Sequence, residues 1–230
     1  MAKFMNQKHW HLLKEETHES QDAFKYFQIR ASFANSVSQE IRNLAKLARD
    51  ENIPAIYAVW LNKQSNPIYI GQTQDSKRRL WDLAIGESHH LANMFPPETW
   101  GKVCIFRWKD FLENHQLAFE SIKGKSMNFD NSEKEILKQI GLSIELSFQI
   151  EMQPLFNKYK RLKDGSLKAI DFSSSGSSGS KLLSQIDYEF DGLKKYWYEL
   201  TSENLTGAKS SISLEYGAVV YPQNLMDQIS

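Results

Sequence analysis

Apolar side chains recur at Phe33, Val37, Ile41, Leu44 and Ala48 with polar residues between them, the three-to-four spacing of an amphipathic helix lying between Ser20 and Arg49. Asn52 and Pro54 end that pattern. Ala55 to Leu61 (AIYAVWL) is an apolar, aromatic and β-branched run and reads as a buried strand. Asn62 to Asn66 is a polar turn, after which Pro67 to Gly71 (PIYIG) closes a hairpin as a second strand. Asp75 is placed to cap a helix that runs through Arg79 and Trp81 to about Ile85, where Gly86 ends it. The connection through Pro96 and Pro97 is expected to be irregular. Lys102 to Trp108 (KVCIFRW) reads as a third strand. Asn131 to Gln149 carries the helical period through Ile136, Leu137, Ile140 and Leu146, with Gly141 inside it. The predicted order is strand, strand, helix, strand, helix.

Beyond Lys163 the pattern changes. Ser173 to Ser180 (SSSGSSGS) is too polar and too simple to bury surface, so residues 164–181 are expected to form a flexible loop. Leu182 to Leu200 carries Tyr188, Phe190, Tyr196, Trp197 and Tyr198, and Ile212 to Tyr221 offers strand-like residues. Residues 182–230 are therefore expected to pack back on the core, as residues 1–52 are expected to do with their helix.

Composition narrows the picture. With 230 residues, 41% hydrophobic, the chain is long enough for a sizeable core. Its 28 basic and 28 acidic residues cancel, so contact with a polyanion has to come from a local patch. The single cysteine, Cys104, excludes an internal disulfide and a multi-cysteine zinc site, fits a reducing compartment, and reads as a core residue. No apolar run reaches membrane-spanning length and the first residues lack the apolar core of a leader, so a cytoplasmic location is the expectation. His9 and His11 flank Trp10 near the start and read as surface residues.

The chemistry lies in Ile56-Tyr57 on the first strand, Tyr69-Ile70-Gly71 on the second and Arg79 on the following helix. Gln72-Thr73 follows the second motif, Arg79 lies ten residues after Tyr69, and Glu145 is followed by Pro154 and Asn157, nine and twelve residues on. This constellation resembles the GIY-YIG nuclease family over about a hundred residues, with Ala55 in the place of the first motif's glycine. The resemblance implies an α+β fold, a small mixed or antiparallel three-stranded sheet flanked by helices, spanning residues 53–163. It implies a metal-dependent endonuclease acting on DNA, of a restriction or mobile-element kind, with magnesium as cofactor and manganese able to substitute. A homodimer joined by the flanking segments, and no membrane partner, complete the expectation.

The residue types suit that chemistry. Phosphodiester cleavage needs a metal to polarise the phosphate, a base or orienting group for water, and a cation for the charge that develops. Glu145 offers a hard carboxylate oxygen for the metal, and Arg79 a planar fork for phosphate oxygens. Tyr57 and Tyr69 on adjacent strands place two hydroxyls together, where a metal and an arginine would favour the phenolate. By resemblance, Tyr57 is the general base or water-orienting group, Tyr69 a second hydroxyl ligand of phosphate or water, and Asn157 a structural hydrogen-bonder. Arg78 competes with Arg79 if the register slips by one, and Glu151 competes with Glu145. Many family members carry histidine or tyrosine four residues after the arginine, where this chain has Leu83. Ser88-His89-His90 follows, and with Gly86 as a hinge one imidazole of the pair reaches back, so His90 is carried as a catalytic candidate; two exposed loop histidines are the alternative. Lys77, Arg78, Lys158, Lys160 and Arg161 are candidate phosphate contacts, against the plain reading of a solvated charged face. Gly124-Lys125-Ser126 resembles the end of a P-loop, but Phe119 stands where its first glycine is needed.

Overall fold

Every residue of Ala55–Trp60 is buried because strand β1 (Ala55–Leu61) has helices over both of its faces. Alternation sends Ile56, Ala58 and Trp60 into one apolar cluster and Ala55, Tyr57 and Val59 into another. A strand flanked on one face alone would have alternated with polar residues instead. The computed structural model describes residues 21–44, 53–85, 91–126, 132–157, 190–203 and 209–229.

The remaining strands are β2 (Tyr69–Thr73), β3 (Trp100–Phe106), β4 (Ser211–Leu214) and β5 (Gly217–Val220). They form one five-stranded sheet in the order β2-β1-β3-β5-β4, antiparallel at every pairing. The expected three-stranded sheet is therefore incomplete. Its three strands are adjacent as predicted, but β3 would have had a free edge, and the hairpin from the C-terminal segment pairs there instead. Arg107, just past β3, fastens that hairpin: its backbone N–H donates to the Tyr216 carbonyl at 2.7 Å and its guanidinium donates to the Glu215 carbonyl.

One face of the sheet is covered by α1 (Gln21–Leu44), α2 (Ser76–Ile85), the short α3 (Leu91–Met94) and α8 (Pro222–Ile229). The other is covered by α4 (Trp108–Asn114), α5 (Gln116–Ser126), α6 (Glu133–Met152) and α7 (Asp191–Ser202). Phe33, Val37 and Ile41 of α1 are buried, as the spacing predicts, and Ser38 Oγ donates to the Trp81 carbonyl at 2.7 Å, tying α1 to α2. No helix among the described residues is long and apolar enough to cross a membrane.

Several boundaries differ from expectation. β2 begins at Tyr69 rather than Pro67, because Pro67 has no N–H to give a ladder. β3 begins at Trp100 and ends at Phe106, and Trp108 opens a helix. The segment through Pro96 and Pro97, expected to be irregular, holds α3 and a single 3-10 turn, Pro97–Thr99. Two helices, α4 and α5, were not anticipated, although Trp108, Phe111, Leu112, Phe119 and Ile122 all enter the core. The flexible loop expected at residues 164–181 lies outside the described residues.

Candidate active site

β2 is an edge strand, and the site is built on that edge. Tyr57 on β1 pairs in register with Gly71 on β2, so the phenol ring of one strand lies over the bare Cα of the other. A Cβ at residue 71 would stand 2.7 Å from both the Tyr57 hydroxyl oxygen and Tyr69 Cε1. Glycine is thus required for space here. Tyr69 lies beside Tyr57 on the same face, ring centroids 6.1 Å apart and 27° between planes.

The turn from β2 into α2 is held by short polar contacts. Thr73 Oγ1 accepts from the Asp75 N–H at 2.9 Å, and Asp75 Oδ1 accepts from the Arg78 N–H at 3.2 Å as the predicted cap. This sets the helical register so that Arg79 returns over the two tyrosines. Its Nε donates to the Tyr57 hydroxyl at 3.1 Å, and the Tyr69 hydroxyl is hydrogen-bonded to both Tyr57 and Arg79. Arg78 is 76% exposed and pairs with Asp75 at 3.5 Å, so the register question resolves in favour of Arg79. Leu83, one turn beyond, is fully buried with Leu80 and Ala84 in the apolar cluster and presents nothing polar to the site.

The carboxylate comes from the opposite helical layer. α6 runs beside β2, and Gly141 makes the approach close: a Cβ there would lie 3.1 Å from Gln72 Oε1 and from Gln74 Nε2. Further along α6, Gln149 donates from Nε2 to the Ile70 carbonyl at 3.2 Å and to Glu145 Oε1 at 2.7 Å. Glu145 is thereby held at the strand edge, where its charge acts on both tyrosines. Glu151 belongs to another surface: it pairs with Lys194 at 3.1 Å and accepts from the Tyr198 hydroxyl, both on α7. No known protein-family model, curated protein or solved structure matches this chain. The geometry alone therefore carries the reading of the site.

Asn157 closes the outer edge. Its Oδ1 accepts from the Ile70 N–H at 3.0 Å and its Nδ2 donates to the Ile70 carbonyl at 2.6 Å, so one side chain pairs both outward backbone groups of an edge-strand residue. This is the structural hydrogen-bonding role expected of it. Replacing it with alanine leaves a buried N–H unpaired and should cost about 1–3 kcal/mol, read as a lower melting temperature. An unchanged melting temperature would show that another group takes its place.

The electrostatics describe the two phenols without the metal on which the expected phenolate depends. Burial first, and then the adjacent Tyr69 hydroxyl, push the Tyr57 phenol well above its usual range; Arg79 opposes them and Glu145 adds to them. Tyr69 is raised too, by burial and then Glu145. The protein by itself therefore favours neutral phenols rather than the phenolate. Burial works against the charge on Arg79, but Tyr57, Tyr69 and then Asp82 outweigh it, and the net shift is upward. A phenol raised by folding stabilises the native state fully below its unfolded value and loses that contribution as pH climbs toward the folded one. Melting temperature should accordingly fall between about pH 9 and pH 11, and less steeply in Tyr57→Phe, which cannot titrate there. Equal slopes in the two proteins would remove Tyr57 as the cause.

Two contributors were missed in the sequence. Gln149, four residues after Glu145, shares its helical face, which is the signal that was available. Asp82, buried three residues after Arg79, supports the guanidinium charge. Of the other candidates, Lys77 lies within α2, while His90, Lys158, Lys160 and Arg161 lie outside the described residues.

As a donor set, two hydroxyls and one carboxylate suit a hard divalent cation. No cluster of three or more His, Cys, Asp or Glu able to hold a metal occurs among the described residues. Glu145 alone fits magnesium only where water and substrate phosphate oxygens complete the shell, which is a usual arrangement for that ion.

Proposed function

We propose that the chain is a metal-dependent endonuclease of the GIY-YIG type that hydrolyses phosphodiester bonds in DNA. The observation that supports this most is the meeting of Tyr57, Tyr69, Arg79 and Glu145 at one sheet edge, from two strands and two helices on opposite faces.

In this reading Arg79 places its guanidinium against the phosphate oxygens as negative charge builds on them. The Tyr57 hydroxyl, neutral and fixed by Arg79, orients the attacking water by hydrogen bonding, and Tyr69 does the same for a phosphate oxygen. Glu145 would hold magnesium, which supplies polarisation of the phosphate and acidification of water. Gln149 and Asn157 keep β2 and α6 in register so that these groups stay aligned.

Incubating the purified chain with supercoiled DNA and magnesium should yield nicked or linear product, and chelation should prevent it. The buried Leu83, which adds no acid or base beside Arg79, favours a second reading: a DNA-binding protein without chemistry. Salt-sensitive DNA binding with no product under magnesium or manganese would select that second reading.

A further inference from the structure

Among the described residues, the exposed large hydrophobic side chains are Ile29, Met94, Leu155, Phe156 and Tyr198, and three of these five belong to two short segments, 94–95 and 155–156, that are joined by contact of the Phe95 and Phe156 rings. Met94 is 59% exposed, Leu155 52% and Phe156 37%. Phe156 is held there by backbone: its N–H donates to the Ile68 carbonyl at 2.9 Å, while the next residue, Asn157, clamps Ile70. Tyr69 lies between those two anchor points in the sequence, so the backbone of Phe156 is fastened to the strand that carries Tyr69. Phe95 supports the ring from its other side, centroids 4.5 Å apart, and itself packs against the buried cluster that includes Tyr57.

We infer that Phe156, backed by Phe95, is a stacking shelf for a DNA base adjoining the scissile phosphate. This rests on the nuclease reading and assigns the substrate contact next to its site. Three features favour a base over a protein partner. Even taken together, the exposed parts of Met94, Leu155 and Phe156 come to no more than roughly 300 Å², taking about 200 Å² for a whole side chain, whereas a stable protein interface needs about 800 Å² from each partner. A partly exposed ring packed on a second ring matches the planar face that every base presents. Lys158, Lys160 and Arg161 follow directly in the sequence, interleaved with Tyr159, which is the charge sign that a DNA backbone requires.

The test uses the full chain and single-stranded oligonucleotides carrying 2-aminopurine at successive positions, in calcium to allow binding without turnover. In the parent protein one position should be quenched strongly. Phe156→Ala should lose that quench and bind about tenfold more weakly, whereas Phe156→Trp should keep both. Melting curves of each variant establish that it is folded, and cleavage under magnesium is measured in parallel. If cleavage persists while no position is quenched, or Phe156→Ala binds and quenches like the parent, the shelf is wrong and the nuclease reading survives. If folded protein binds none of the oligonucleotides but cuts supercoiled DNA under magnesium, the shelf falls alone; if it neither binds the oligonucleotides nor cuts supercoiled DNA, both fall. A parent dimer that Phe156→Ala converts to monomer, with DNA binding unchanged, would show that the patch serves a second copy of this chain.

Discussion

Arg79→Ala should lower magnesium-dependent DNA cleavage by about a thousandfold, the scale expected when a cation is removed from a charge-building phosphoryl transition state. The expected structural cost is small by comparison. Arg79 gives a 3.1 Å hydrogen bond from Nε to Tyr57 and is also bonded to Tyr69, and loss of the two is worth about 2 kcal/mol, or about 4–8 °C in melting temperature for a chain of this size. Glu145→Gln should have a comparable effect on activity, because the amide keeps the shape and a partner for Gln149 but no longer offers a hard anionic oxygen. It should also remove any rise in melting temperature that magnesium produces in the parent. Glu151→Gln provides the control, since Glu151 is engaged with Lys194 and Tyr198 on α7. Full cleavage by folded Arg79→Ala, or loss of cleavage in Glu151→Gln with retention in Glu145→Gln, would overturn the site assignment.

Gly71→Ala should damage both stability and activity, through a single methyl group. That methyl would stand 2.7 Å from the Tyr57 hydroxyl oxygen and 2.8 Å from its Cζ, with Tyr69 Cε1 equally close, so at least one phenol has to move. The Tyr57 ring has no easy escape, because it is fully buried and fixed by Arg79. Forcing a methyl into such a contact costs about 1–3 kcal/mol. Displacement of a hydroxyl by about 1 Å should reduce cleavage by about a hundredfold. Gly124→Ala makes the comparison informative: it is a helical glycine with nothing within 4 Å of a new Cβ, and it should be neutral or stabilising by up to about 1 kcal/mol. If Gly71→Ala melts and cleaves like the parent, the Tyr57 ring does not lie over residue 71.

Local patterns made part of this arrangement legible. The period of α1, the apolar run of β1, the Asp75 cap of α2 and the Ser132-led helix α6 each depend on contacts within a few residues, so their signals lie in short stretches of chain. The spacing of Tyr57, Tyr69, Arg79 and Glu145 was readable for the same reason, as positions on elements whose type was clear. α4 and α5 show where such reading stops. Their apolar residues are spaced as helices require, but Trp108 follows β3 so closely that the strand was extended through it.

By itself, then, the sequence determined which residues are apolar on which period, where the principal helices and the first hairpin lie, and which side chains are candidates for the proposed phosphate chemistry. Tertiary structure alone decided that the sheet has five strands, because pairing of β5 with β3 joins residues more than a hundred positions apart through backbone groups that every sequence possesses. It also placed Arg79 rather than Arg78 against the tyrosines, and Glu145 rather than Glu151 beside β2, since each pair differs in which neighbours its members face rather than in chemical type. The upward shift of the Tyr57 phenol arises at the same level: burial is a property of everything packed around a phenol, and in the protein by itself it outweighs what the adjacent arginine alone would favour.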